Sequence, residues 1–582
     1  MSPSTSVGSV LAVEASPRAG EIPPARASSA WKSLRQDWRW VLGVLLVASV
    51  PLAPLAALAY FALTADLNVW PHLIANVLPA ALRDTLALLV GVGLLVSLLG
   101  VTTAWLVSAY TFPGRRIFEW ALLLPLAMPA YIIAYTYVEI LDAFGPVQTM
   151  LRAVTGFTSR QDYWFPEPRS LPGAILLMGF VLYPYVYLSA RAMFLMQAAG
   201  LIDVARTLGD DSRGVFWRIA LPLARPAIAV GVSLALMEAM NDIGAVEYLG
   251  VRTLTVSVYT TWINRGSLGG AAQIACLSLL IMVGLVALER HARRRQRFAA
   301  HAQRQRRLVP QPLKGRAVIG AVIACSLPIL IGFVAPAAFL LEAAIHHATR
   351  QGMPPGFLTA LGHTVMLASV AAAIAVFFGL VLAVATRVSR VPGITLLARL
   401  ANLGYAAPGT ILAVGMLAPL AAFDNAVDAF MRATFGVSTG LLLSGTGVAL
   451  VLAYVARFLG IANGGLEAGL GRVPLSLDMA ARNLGDTRSQ TMWRIHLPLI
   501  RPALGAAALL VFVDAMKELP ATLLLRPFNF ETLSTVVYDA ASRGMFEDGA
   551  LAALAIVLAG LLPVVMISRL SRPLGLTGSG AG

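Results

Sequence analysis

The sequence is poor in charge and has almost no lysine. Asp, Glu, Lys and Arg make up 13% of its 582 residues, against roughly 25% in a soluble protein. Only Lys32, Lys314 and Lys517 are present, and none follows a glycine. A phosphate-binding loop needs Gly-Lys-Ser/Thr, because backbone amides and the lysine together cradle the phosphates. That motif is excluded, so any nucleotide hydrolysis belongs to another subunit. HExxH, GxSxG and zinc-spaced ligand clusters are also missing, and the chain is expected to be neither an enzyme nor the holder of a metal. Cys276 and Cys325 both lie inside apolar runs, which argues against a disulfide framework. No apolar run of signal-peptide length precedes residue 40. Residues 1–38, rich in Ser, Ala and Pro with four scattered basic side chains, read as a disordered cytosolic tail.

What the chain has in abundance is apolar sequence, 58% of the total with a mean hydropathy of +0.76. A soluble core does not need that much, so most of the chain belongs in lipid. A bilayer core of about 30 Å takes roughly 20 residues of helix. Six candidate spans lie near 40–63, 85–109, 117–140, 172–196, 225–246 and 270–289. Six more lie near 317–345, 364–386, 394–421, 440–463, 500–525 and 547–569. The expected fold is all-α and polytopic, about 12 transmembrane helices in two parallel six-helix repeats. The domains would be 39–291 and 317–572, joined by a basic linker 292–316 and followed by a tail 573–582. The excess of +15 charges is concentrated in places such as 290–316, which has no acid at all. Such a stretch could be a nucleic-acid or lipid patch. Its position between two spans fits a cytosolic linker obeying the positive-inside rule, so nucleic acid is not an expected partner and membrane lipid is. An even number of spans per half then places both termini in the cytosol.

One polar stretch occurs twice. Residues 205–227 read ARTLGDDSRGVFWRIALPLARPA, and 481–503 read ARNLGDTRSQTMWRIHLPLIRPA. An offset of 276 residues pairs Gly209 with Gly485, Trp217 with Trp493 and Pro222 with Pro498. In each copy a helix can stop at the glycine. The next polar residues (Asp210, Asp211 and Ser212, or Asp486 and Thr487) are candidate caps for a second helix that re-enters the membrane. The expected product is a helix–turn–helix on the cytosolic surface.

The stretch resembles the EAA loop of ABC importer permeases, E-A-A-x3-G-x9-I-x-L-P. The first copy matches through Asp203, Ala205, Gly209, Ile219, Leu221 and Pro222, with Asp210 beside the glycine. The second matches through Ala480, Ala481, Gly485, Ile495, Leu497 and Pro498, with Asp486 in the same place. Both depart at the acid: Asp203 is shorter than Glu, and Met479 is not acidic although Asp478 precedes it. The resemblance implies a bacterial inner-membrane permease whose loops dock on two copies of a separate ABC ATPase subunit. ATP and Mg would be bound there, with no cofactor in this chain, and a periplasmic binding protein would deliver substrate. The two-permease chain, the segments 236–244 and 513–522 and the run LLLRPFNFETLSTVVY at 523–538 look like the ferric iron importer permeases. Permeases for phosphonate, thiamine, sulfate or molybdate share much of the pattern. An ion-coupled secondary transporter is the alternative of another class; those often have inverted repeats, unlike the parallel halves here.

Charged groups inside spans mark a path or a packing device. Glu238 and Asp242 lie four apart with Asn241 between them, and Asp514, Lys517 and Glu518 hold the equivalent place in the second half. These six either line the translocation path or form an internal ion-pair set that fixes helix packing. Tyr131, Tyr135, Tyr183, Tyr185 and Tyr187 could offer hard oxygen to Fe³⁺. The plainer reading is packing or interfacial anchoring, and the two-residue spacing of the last three keeps them off one helix face.

Overall fold

A computed structural model describes residues 26–65, 70–196, 211–299, 310–389 and 391–570. Among them, eleven helices are long and apolar enough to cross a membrane, and a bent pair makes a twelfth. The twelve-span, all-α expectation therefore holds. Large apolar side chains such as Leu46, Leu94, Leu98, Ile319, Phe377 and Leu558 stand exposed on these helices, as lipid rather than water as solvent requires.

Several spans differ from their expected form, and proline explains most of the differences. The third is not a continuous helix over 117–140. It breaks between Arg115–Ala127 and Ala130–Thr155, which meet at 91°. The break falls at Met128-Pro129, both extended, with ψ of 109° and 141°. The second half repeats this at Ala407-Pro408, with ψ of 131° and 142°, between Leu403–Ala406 and Gly409–Phe435. The proline ring disfavours the helical region for the residue before it, so each helix ends there and a new one begins. Four π-helical turns occur among the described residues: Leu73–Val77, Phe216–Ala220, Leu330–Val334 and Met492–His496. Each is followed, after one residue, by a proline: Pro79, Pro222, Pro336 and Pro498. A proline lacks an N–H and crowds the carbonyl four residues back; widening the preceding turn relieves that clash without ending the helix.

The expected spans 225–246 and 500–525 also shift. Each helix starts earlier, at Arg213 and Met492, and ends earlier, at Asn241 and Met516. Short helices Ile243–Tyr248 and Pro520–Leu525 follow. The expected disordered tail 1–38 is shortened, because the first helix begins at Arg26 and is bent at Asp37; residues 1–25 lie outside the described ones. In the basic linker, the helix from Leu268 continues to Ala299, and Gln311–Pro312 pairs in parallel with Tyr110–Thr111.

The duplication survives in three dimensions. Thr85 Oγ1 accepts from Leu254 N at 2.9 Å, and Thr364 Oγ1 accepts from Leu533 N at 2.8 Å, each across 169 residues. In both places the hydroxyl fills an orphan donor at the start of a helix capped by Thr253 or Thr532. The halves also interlock. The first helix of the first half lies on the second half, where Gly404 and Gly415 admit Pro51 and Pro54. The first helix of the second half lies on the first, where Gly332 packs on the Phe180 carbonyl and Pro125 and Tyr137 donates to Ile331 O at 2.7 Å. Small residues permit this backbone approach, which is the main source of helix affinity where no hydrophobic effect operates.

Candidate functional site

Two regions concentrate the polar chemistry: the repeated loops at one end of the bundle, and a cavity between the halves.

In the second loop, the helix Leu475–Asn483 is stopped by Gly485 at φ +89°. Gly485 N donates to Arg482 O and Asp486 N to Ala481 O, both at 3.0 Å. These are the paired bonds of a Schellman stop, which only a left-handed residue allows cheaply. Thr487 then caps the next helix: its N–H donates to Gln490 Oε1 at 2.8 Å and its Oγ1 accepts from Gln490 N at 3.3 Å. Asp486 pairs with Arg494 at 3.1 Å instead of capping. The chain runs on through the π turn Met492–His496 into Leu497–Met516 without a break, so the loop and its span are one lever. Ala481 is buried, Ile495 and Leu497 are half-buried, and Ala480 and Pro498 are exposed. Met479, Leu484 and Trp493 are more than half exposed, and nothing lies within 4 Å of a side chain added at Gly485. An apolar, uncovered patch results.

Of the first loop, Asp203, Ala205, Gly209 and Asp210 lie outside the described residues. Asp211 Oδ1 accepts from Gly214 N at 2.7 Å, the cap equivalent to Thr487. Ile219 and Leu221 are half-buried and Trp217 is exposed, as in the second copy, whereas Pro222 is half-buried where Pro498 is exposed.

Asp478, which precedes Met479, carries the charged contacts of this loop helix. Asp478 Oδ2 accepts from Arg387 Nε at 3.2 Å and Nη2 at 3.1 Å, and Asp478 Oδ1 bonds His496 Nε2. Arg387 also donates to the carbonyls of Leu470 and Val473. One guanidinium thus ties the loop helix to the ends of Phe357–Val388 and Gly447–Gly471. Burial opposes ionisation of Asp478, but the His496 and Arg387 hydrogen bonds outweigh it and hold the carboxyl below the usual range. Neither Arg387 nor His496 stood out in the sequence. Each is a basic residue near a span end with another close by in sequence (Arg390 and Arg494), where topology alone would predict one.

The cavity, about 90 Å³, sits between the breaks of the two halves. All six residues expected on the path line it: Glu238, Asn241, Asp242, Asp514, Lys517 and Glu518. The helix ends supply them by matched local folding. Asp242 leaves its helix and accepts from Ala245 N at 2.8 Å, and Glu518 accepts from Ala521 N at 3.0 Å and Thr522 N at 3.1 Å. Each carboxylate therefore starts the next short helix. Lys517 pairs with Asp514 at 2.8 Å. Glu518 pairs instead with Arg457 at 2.8 Å, a residue the sequence reading passed over. The signal was available: Arg457 is a single ionisable residue inside an apolar span. Tyr405, also missed, donates to Glu238 Oε1 at 3.4 Å.

The tyrosines divide. Tyr183 and Tyr187 donate to the carbonyls of Leu122 and Glu119 at 2.9 and 3.0 Å, and so brace the broken third span. Tyr135 packs edge-on against Tyr248. Tyr131 and Tyr185 face the cavity.

Residues 96–298 match the family described as binding-protein-dependent transport system inner membrane component. The Fe(3+)-transport system permease protein of Haemophilus influenzae is 25% identical over 84% of this chain and 89% of its own length. The ferric transport system permease protein of Actinobacillus pleuropneumoniae is 23% identical over 77% of this chain and 64% of its own length. The molybdenum transport system permease protein of Escherichia coli is 30% identical over 33% of this chain and 84% of its own length. With its twelve spans, duplicated loops and these relatives, the chain belongs to the binding-protein-dependent transport system inner membrane components, as a multi-pass permease.

Proposed function

We propose that the chain is a two-half permease of an ATP-driven importer for ferric iron. The observation that carries this reading is coverage. The ferric relatives extend across both halves, at 84% and 77% of the chain. The molybdenum relatives align over 33% and 46% of the chain and a sulfate relative over 38%, none of them long enough to reach across both halves. ATP hydrolysis falls to two copies of a separate ATPase subunit, on which the loops dock from the cytosolic side, and a periplasmic binding protein presents the iron. Both termini then face the cytosol.

The chain's own part is mechanical. The patch of Met479, Leu484 and Trp493 gives the partner an apolar surface, and the Asp478–Arg387 tie makes the loop move with the bundle. From Met492 to Met516 is 25 residues of helix, a rod of about 37 Å. A displacement at the loop therefore reaches Lys517 and Glu518 at the cavity. Closing the two loops toward each other shifts the halves between two packings, and partner binding biases that equilibrium through contacts that differ between them.

The test is uptake into vesicles holding the permease, its ATPase and its binding protein. ATP-dependent accumulation of labelled Fe³⁺, uncompeted by molybdate, sulfate, phosphonate or thiamine, is expected. Accumulation of one of those four in place of iron would sink the cargo assignment.

A further inference from the structure

The cavity is unevenly charged. Four carboxylates line it (Glu238, Asp242, Asp514 and Glu518), against the two cations Arg457 and Lys517. Both cations come from the second half, and both are bound to second-half acids, Arg457 to Glu518 and Lys517 to Asp514. Among the described residues, neither Glu238 nor Asp242 forms an ion pair with any cation. Glu238 meets the Tyr405 hydroxyl, and Asp242 meets one backbone N–H. The first-half wall therefore carries two acids with no cation bonded directly to them, although Lys517 and Arg457 face them across the cavity.

Two more oxygens on that wall lack partners. Tyr131 is 3% exposed and Asn241 is 4% exposed; both line the cavity, and neither the Tyr131 hydroxyl nor Asn241 Oδ1 has a hydrogen-bond partner. Buried polar atoms are rarely left so, and such an atom calls for a water, an ion or a ligand. A volume of about 90 Å³ is several times the roughly 10–15 Å³ that one water needs, so the cavity admits a hydrated ion. An oxyanion would meet repulsion from every acid. Among the described residues no three His, Cys, Asp or Glu side chains converge as a metal cage.

We propose that this cavity is a cation station on the transport path. Glu238 and Asp242, with Asn241 Oδ1 and the Tyr131 hydroxyl, receive a hard multivalent cation, while Arg457 and Lys517 neutralise the opposite wall as tethered counter-ions. The proposal rests on the reading of the chain as a permease and deepens it by assigning the specificity to the first-half wall.

The experiment uses Tb³⁺ with the purified full-length permease in lipid nanodiscs, reading luminescence sensitised by the cavity tyrosines. Saturable emission is expected, competed by Ga³⁺ and unaffected by molybdate. The Glu238→Gln/Asp242→Asn variant should bind at least about tenfold more weakly, because two short-range attractions are lost. Lys517→Met, which frees Asp514, should bind several-fold more tightly and serves if the double variant fails to fold. Unchanged affinity in the folded double variant, or in Lys517→Met, would overturn the proposal. Iron uptake without cavity binding of Tb³⁺ would sink the station and leave the proposed function standing. Cavity binding without iron uptake would do the reverse.

Discussion

Replacing Arg387 by Met should loosen the second loop helix from the bundle while leaving the spans intact. Arg387 gives Asp478 two charge-assisted hydrogen bonds at 3.2 and 3.1 Å and gives Val473 O a third bond at 3.1 Å. A hydrogen bond to a charged group contributes about 1.5–3 kcal/mol, and bonds sharing one guanidinium do not add. The two side chains are 14% and 16% exposed, so solvent screens the pair only in part. A loss of about 2–3 kcal/mol of docking free energy is expected. At 1.4 kcal/mol per tenfold, that raises the undocked population by roughly 30- to 150-fold. Hydrogen exchange at the amides of residues 475–491 reads this population directly. A cycle with Asp478→Asn should show coupling, the double variant costing little more than either single one. Unchanged protection in Arg387→Met, or full additivity in the cycle, would refute the reasoning. The pH dependence follows from the same pair. The folded carboxyl of Asp478 lies below the unfolded value of about 3.9. Its contribution is therefore complete above that value and is lost as pH falls through the folded one. Protection should stay flat from about pH 7 to about pH 5 and decline only in stronger acid.

Three further outcomes are expected. Gly485→Val forces a branched side chain to φ +89°, at a cost of roughly 1–2 kcal/mol; it should barely lower the melting temperature yet abolish substrate-stimulated ATP hydrolysis in the assembled importer, since the space around Gly485 is open. Thr85→Val and Thr364→Val each strand a buried N–H, of Leu254 or Leu533, and thermal unfolding should show losses of about 1–3 kcal/mol that are alike in the two halves. Gly332→Ala and Gly415→Ala place a methyl 2.4 and 2.3 Å from backbone carbonyl oxygens, so each should destabilise by about 1–3 kcal/mol, whereas Gly284→Ala, with nothing within 4 Å, should be neutral in the same melt.

The candidate site was legible where chemistry is local. The glycine stop at Gly485 and the cap after it follow from side chains that bond to their own backbone within a few residues. Glu238 and Glu518 could be picked out because ionisable groups in apolar spans are rare. Arg387 and His496 were not legible, because their importance lies in partners 91 and 18 residues away; Arg457 carried the same signal as Glu238 and Glu518, and only its partner 61 residues away was hidden. Nor could the sequence show that Asp478 carries the charged contacts of the loop helix, since that depends on where the neighbouring guanidinium stands.

The solvent, the number of spans and the duplication were readable without coordinates, because hydropathy and repeat spacing are properties of the chain read in order. Pro129 and Pro408 are visible in the sequence too, but a proline inside an apolar span is equally compatible with a continuous helix, so the breaks there belong to the structure. That each half's first helix lies on the other half, and that six polar residues from two helix ends meet in one cavity with both cations on the second-half wall, emerged with the folded chain alone. Packing between distant segments is set by the fit of small residues such as Gly332 and Gly415 to particular neighbours, and that complementarity exists only once both surfaces are built.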